Sequence, residues 1–208
     1  MSAIRLLVLG AVRQHGRAHG YQVRNDLEYW GANEWSNAKP GSIYHALKQM
    51  AKQGLLLAHD VAPSTAGGPP RTEYELTEAG EAEYLALLRS ALTAIDEKPD
   101  MLTSGVGFIV DLPRDEAIKL LQQRVALLDA WRDEVGEHWT PRGSDPEEWG
   151  HIGEIMRLWV STAESGAQWA RGLIERLSSG AYVMAGESGA RPEVLAPESG
   201  NPYADENG

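Results

Sequence analysis

Cysteine is absent from this chain of 208 residues. That absence excludes disulfides, thiolate metal sites and cysteine nucleophiles, and it fits a reducing compartment. Long apolar runs are missing too. The longest near the start, residues 6–12, is interrupted by Gly10 and closed by Arg13, far too short to span a bilayer. No small-residue cleavage site follows it. The reading is a cytoplasmic protein with no membrane partner.

Catalytic constellations are equally scarce. Gly105-Val106-Gly107 lacks the third glycine and the preceding strand of a nucleotide loop. No serine sits in a recognisable elbow beside a base. Of the six histidines, His15 and His19 are four apart but fall in a connector, and no carboxylate nearby completes a metal set. We expect no enzyme, no cofactor and no metal.

What is present is an electrical asymmetry. Residues 1–71 hold 8 Lys+Arg against 4 Asp+Glu, a net +4, while the remainder carries −15 of the total −11. Screening cuts exposed charges off beyond about 8 Å at physiological salt. An acidic body therefore permits binding to a polyanion by the basic head and discourages it elsewhere.

Periodicity predicts a first helix over residues 3–14 with Ser2 as N-cap, then a connector over 14–19. A second helix runs from Gly20 to Gly31 with Tyr21, Val23, Leu27 and Trp30, and 33–39 reads as a polar loop. A third occupies residues 40–53, opened by Pro40, whose missing N–H is unneeded there. Its apolar side is Ile43, Leu47, Met50 and Ala51, at helical spacing. Its other side is Ser42, His45, Lys48, Gln49 and Lys52, all donors and none acidic. Gly54 ends the helix as a left-handed cap.

Alternating Leu55, Leu57 and Val61, then Tyr74 and Leu76, predict two strands joined by the Gly/Pro-rich tip 62–70. Helix, turn, helix, loop, helix and hairpin is the order of a winged helix-turn-helix. A fourth helix, capped by Thr77, reaches about Glu97, where Lys98-Pro99-Asp100 breaks it. After a short apolar stretch, 101–110, the second half is helical. Pro113 opens one helix, and another spans roughly 146–178. Along the latter, Trp149, Ile152, Met156, Trp159, Ala163, Gly166, Ala170, Leu173 and Leu177 alternate in steps of three and four. That seam requires another helix alongside. Beyond Ser179 the composition predicts disorder.

His19-Gly20-Tyr21, Pro40-Gly41-Ser42-Ile43-Tyr44-His45-Ala46-Leu47, Gly54-Leu55 and Arg71-Thr72-Glu73-Tyr74-Glu75-Leu76-Thr77-Glu78-Ala79-Gly80 together resemble the PadR family of bacterial transcriptional regulators. Four motifs in order over roughly residues 3–90 make the resemblance specific, and the long helical C-terminal part is similar to the family's larger subgroup. It implies a mainly α fold: a winged helix-turn-helix with a two-stranded wing (1–97), antiparallel or coiled helices forming a dimer (98–179), and a tail (180–208). It also implies repression relieved by a small molecule or stress signal.

The expected sites follow from both readings. The major groove admits a helix and shows a distinct donor–acceptor pattern for each base pair. Ser42 and His45 are placed for base edges of double-stranded DNA, and Lys48, Gln49 and Lys52 lie further along, towards phosphates. Tyr21, Lys39, Tyr44 and Arg71 are candidates for the backbone, with Tyr44 able to reach a phosphate or pack its ring. The seam is the candidate homodimer surface. Of the tryptophans, Trp149 and Trp159 read as seam packing, while Trp131 and Trp169 lie off it and are candidates for a pocket that takes a small aromatic effector. A protein-docking module built on the same head and seam is the competing reading.

Overall fold

The computed structural model describes residues 2–61, 71–139 and 151–188. The hairpin tip 62–70, Trp149 and the chain from residue 189 onward lie outside the described residues. Helix α1 (Ala3–His15) is the axis of the head. Leu6, Leu7, Val8, Leu9, Ala11 and Val12 are all buried, because other elements cover it on several sides. Strand β1 (Arg17–His19) leads into α2 (Gly20–Tyr29), the single turn α3 (Ala32–Trp35) and α4 (Pro40–Lys52). Strands β2 (Leu56–Val61) and β3 (Arg71–Leu76) form the wing, and α5 (Glu78–Thr93) follows.

The sheet has three strands in the order β1-β3-β2, both pairings antiparallel. The connector expected over 14–19 thus contains a strand. Arg17 pairs with Glu75 and His19 with Glu73 in register, and the side chains repeat the pairing at 2.8 Å and 3.2 Å. Ala18 alone turns inward. A three-residue edge strand has too little alternation to announce itself; its partner across the sheet specifies it. Similarly, the loop expected over 33–39 holds α3, entered through Gly31 at φ 66, a left-handed backbone that suits glycine.

Helix α5 stops at Thr93, short of the expected Glu97, with Ala94 already extended. Helix α6 (Pro99–Gly107) and a 3-10 turn (Ile109–Asp111) then bring Phe108 back onto α1. A Cβ on Gly10 would lie 2.3 Å from the Phe108 ring, so only glycine admits that ring. Phe108 also meets Trp30 and Tyr84 edge-on. One continuous core crosses residue 98: Met101, Phe108, Ile109 and Leu112 are buried in the same cluster as Leu6, Leu9 and Leu88. Above it, Tyr84 donates to Asp111 at 2.6 Å, and Arg13 reaches both Asp111 and Glu81 at 2.9 Å. Burial and the Asp111 carboxylate push the Tyr84 hydroxyl far above its ordinary range, so it remains a donor.

Helices α7 (Arg114–Trp139) and α8 (His151–Ser178) pack along each other. The α8 seam is used there. Ala163, Ala170, Leu173 and Leu177 are buried, and a Cβ on Gly166 would sit 3.4 Å from Leu128 of α7. Within the described residues, the helix alongside this stretch of the seam is α7 of the same chain. Small residues at 163, 166 and 170 let the two backbones approach. Asp129 of α7 fastens the pair by accepting from Arg171 of α8 at 2.5 Å. Met156 is half-buried, and of Ile152 only the backbone is described.

Disorder was expected from Ser179, yet residues 179–188 fold back. Met184 is buried, and its neighbour Ala185 donates to the Val110 carbonyl at 2.9 Å. Arg114 at the start of α7 clamps the segment, donating to Ala181 O, Tyr182 O and the Glu187 carboxylate. Composition missed this because the partners are backbone carbonyls. The Arg114 guanidinium, with the Met184 N–H, lowers the Glu187 pKa from the ordinary 4.5 to about 2. A carboxylate with a depressed folded-state pKa adds stability that is complete above about pH 4.5 and lost as pH falls through about 2. Peptides covering residues 179–188 should therefore lose hydrogen-exchange protection across that window, and Glu187→Gln should remove the pH dependence.

Candidate nucleic-acid interface and ligand cavity

Helix α4 divides as its sequence predicts. Ile43, Leu47 and Met50 are buried, and His45, Lys48, Gln49 and Lys52 are exposed. No acidic residue stands in its first turn. The Ser42 hydroxyl donates to the turn before α4, lying 2.8 Å from both Asn37 O and Lys39 O. Tyr44 packs its ring: a Cβ on Gly20 would lie 2.7 Å from Tyr44 Cε1, which explains the glycine in His19-Gly20-Tyr21. Tyr21, beside it, stacks on His19 with centroids 5.4 Å apart and remains 42% exposed. The start of α2 and the start of α4 therefore form one surface carrying two tyrosines. Arg71 opens β3, and its side chain lies outside the described residues.

The charges on this surface differ from those elsewhere on the head. Arg5 pairs with Glu83, Arg13 with Glu81 and Asp111, Arg17 with Glu75, and Arg24 with Glu28. The histidines are engaged too: His15 contacts Asp26 at 2.7 Å and His59 contacts Glu75 at 2.8 Å. Burial raises the Asp26 pKa above its ordinary value, opposed by His15. Lys39, Lys48 and Lys52, by contrast, pair with no described residue and are exposed. The basic excess read from composition thus resolves into neutralised arginines and three unneutralised lysines on one helix and its cap.

A second feature is a cavity of about 560 Å³ where the end of α5, the linker 94–99, α6, α7 and α8 meet. Its walls include Leu102, Arg124, Leu128, Trp131, Trp159 and Ala163. Trp131 is where an effector pocket was expected. Trp169 is not among the walls; it lies 38% exposed elsewhere on α8. Trp159, assigned to the seam by spacing, lines the cavity and is 44% exposed. Arg124 was not anticipated, since nothing in the sequence around it signals that α7 returns to the end of α5. Among the described residues there is no cluster of three or more metal-binding side chains, and no helix is long and apolar enough to cross a membrane.

A two-stranded wing, completed to a three-stranded sheet by β1, beside the solvent-facing helix α4 defines a winged helix-turn-helix fold. Residues 8–86 match the Transcriptional regulator PadR-like family. Among solved structures it is similar to Bacillus subtilis PadR in complex with operator DNA. That likeness has 19% identity and a TM-score of 0.38, and covers 83% of this chain and 98% of that one. It is also similar to the same Bacillus subtilis protein in complex with p-coumaric acid, at 20% identity and a TM-score of 0.36, over 85% and 99%. A third is the PadR-like regulator BC1756 from Bacillus cereus, at 17% identity and a TM-score of 0.35, over 85% and 98%. No curated protein matches the chain.

Proposed function

We propose that this regulator binds double-stranded DNA through α4 and acts as a homodimeric repressor on an inverted repeat. Two-fold symmetry would set its half-sites about one helical turn, ~34 Å, apart. In this reading residues 1–97 are the DNA-binding head and 98–179 carry dimerisation and effector response. A small aromatic ligand in the cavity beside Trp131 and Trp159 relieves repression.

The observation that carries the reading is the ridge of Lys39, His45, Lys48, Gln49 and Lys52, exposed and free of carboxylate partners among the described residues. Lysines left unpaired, on a head whose arginines are nearly all neutralised within the fold, are the ones available to displace counterions from phosphates. Tyr21 and Tyr44 flank them on the same surface, and Arg71 is assigned to the wing side. The α8 seam is occupied by α7, so dimerisation would use apolar side chains that remain outside, such as Ile155, Leu158 and Trp169.

The test is a gel-shift titration of the full chain on duplex from upstream of its own gene and on random duplex, at several salt concentrations. Preferential binding with a steep linear fall of log affinity against log salt is expected. A chain that dimerises yet shows no salt-dependent preference for its own upstream DNA would instead be a protein-docking module.

A further inference from the structure

His19 stands where three elements meet. It ends β1, serves as N-cap of α2 and precedes Gly20, whose missing side chain makes room for the Tyr44 ring of α4. Each edge of the imidazole faces a different group. Nε2 lies 3.2 Å from the Glu73 carboxylate on β3. Nδ1 is buried and holds no full hydrogen bond among the described residues. What it faces is the Gln22 N–H in the first turn of α2. That contact is the loose half of a capping box, whose tight half is Gln22 Oε1 accepting from the His19 N–H at 2.8 Å. The flat of the ring stacks on Tyr21, at an interplanar angle of 16°.

Imidazole is the side chain whose charge changes between about pH 5 and about pH 8, and its two nitrogens exchange donor and acceptor roles with the proton. With a carboxylate at Nε2, the single proton of the neutral ring belongs there, and Nδ1 keeps a lone pair for the Gln22 N–H. A second proton goes on Nδ1 and aims a donor at a donor. It also sets a positive charge against the positive end of the α2 dipole. No acidic residue stands in the first turn of α2 to receive that charge. On the sheet face Glu73 attracts it, while Glu75 is taken up by Arg17 and His59, each at 2.8 Å. From α2 and α4 the titratable neighbours are the Tyr21 and Tyr44 rings.

We propose that His19 is a positioning residue of the DNA interface: as a neutral ring it caps α2 and seats Tyr21 towards the duplex, and a second proton unseats both. The proposal rests on the reading of α4 and the start of α2 as the DNA-facing surface, and gives that surface a response to pH. The response is local. Losing an N-cap frees the first turn of a helix rather than its body, and the body of α2 is held by Val23 and Leu27, both buried in the core of the head. Tyr21 lies in that first turn and is half exposed, so it moves with the cap while the fold persists.

The experiment titrates the full chain against duplex from upstream of its own gene by fluorescence anisotropy, at fixed salt from about pH 8 to about pH 5.5. His19→Asn and His19→Phe are run beside the unmutated chain. Asparagine keeps a capping oxygen that carries no proton to lose or gain in this range; phenylalanine keeps a ring for Tyr21 but cannot cap. The remaining histidines, exposed His45 on α4 among them, are common to all three, so affinity ratios isolate position 19. Relative to His19→Asn, the unmutated chain should lose about tenfold in affinity across the range, and His19→Phe should be about tenfold weaker at both ends. Parallel profiles for the unmutated chain and His19→Asn would overturn the positioning role and leave the DNA interface standing. No preference over random duplex at any pH would overturn the interface and the role together. If the variants do not fold, the imidazole nitrogen chemical shifts of the unmutated chain decide. At about pH 8 His19 should be the Nε2–H tautomer, and an Nδ1–H tautomer would overturn the proposal.

Discussion

Lys48→Glu should weaken binding to the chain's own upstream DNA by about 100-fold or more near 150 mM salt, because in the proposed dimer it would replace a phosphate partner with a repelling charge in each subunit. Lys48 is exposed on α4 and pairs with no described residue, so the substitution removes nothing from the fold. Lys48→Ala isolates the electrostatic part: the slope of log affinity against log salt should fall by about one for each subunit, with little change in sequence preference. Lys119→Glu is the control. It makes the same change in net charge on an exposed position of α7, and should alter affinity only a few-fold, since screening confines the effect to about 8 Å. Gel shifts at four or five salt concentrations measure all three. Equal losses from Lys48→Glu and Lys119→Glu would mean that net charge governs binding and that α4 does not face the duplex.

Gly80→Ala should be the most damaging single methyl group in the head. Gly80 lies in the first turn of α5, where its N–H donates to the Thr77 cap at 3.0 Å. Thr77 in turn donates its hydroxyl to Gly54 O at 2.7 Å and its backbone N–H to Leu55 O at 3.0 Å. The start of α5 therefore rests on the turn that ends α4. A Cβ on Gly80 would lie 2.0 Å from Leu55 O, a backbone atom that cannot swing aside. Relief requires separating α5 from that turn, which breaks the Thr77 bonds as well. We expect a loss of about 3 kcal/mol or more, an overpacking cost against a total stability of roughly 5–15 kcal/mol. The ~1 kcal/mol that alanine gains over glycine in a helix does not offset it. Gly136→Ala, in the last turn of α7 with no described atom outside its own helix backbone and chain neighbours within 4 Å of the new Cβ, should be neutral or stabilising. Urea denaturation of the two variants gives the comparison directly.

The head was readable because its helices are patterned by one core. Ile43, Leu47 and Met50 recur at helical spacing, and burial follows that spacing. The family motifs turn out to be packing instructions: Gly20 accommodates the Tyr44 ring, and Gly80 accommodates Leu55 O. Three matters were not readable. A seam of small and apolar residues on α8 requires a neighbouring helix but does not say which one, and α7 of the same chain packs along its 163–177 stretch. A run of composition rich in Gly, Ser and Glu does not reveal that Arg114 will gather its carbonyls. Finally, whether a cation is paired depends on residues 30 to 80 positions away, as Arg5–Glu83 and Arg124–Ala94 illustrate. The distinction between spent arginines and available lysines is therefore a property of the fold alone.

The seating of Phe108 on Gly10 has a consequence for where this protein can be cut. A fragment ending at the Lys98-Pro99 break would retain every element of the wing and α4, yet it would leave a notch on α1 shaped for a benzene ring and open to water. Such a fragment would hide the notch by self-association or fill it by slackening α1, on which α2, α4 and α5 all lean. The smallest piece of the head expected to stand alone therefore extends through Leu112, and the head and the helices that follow it share one keystone.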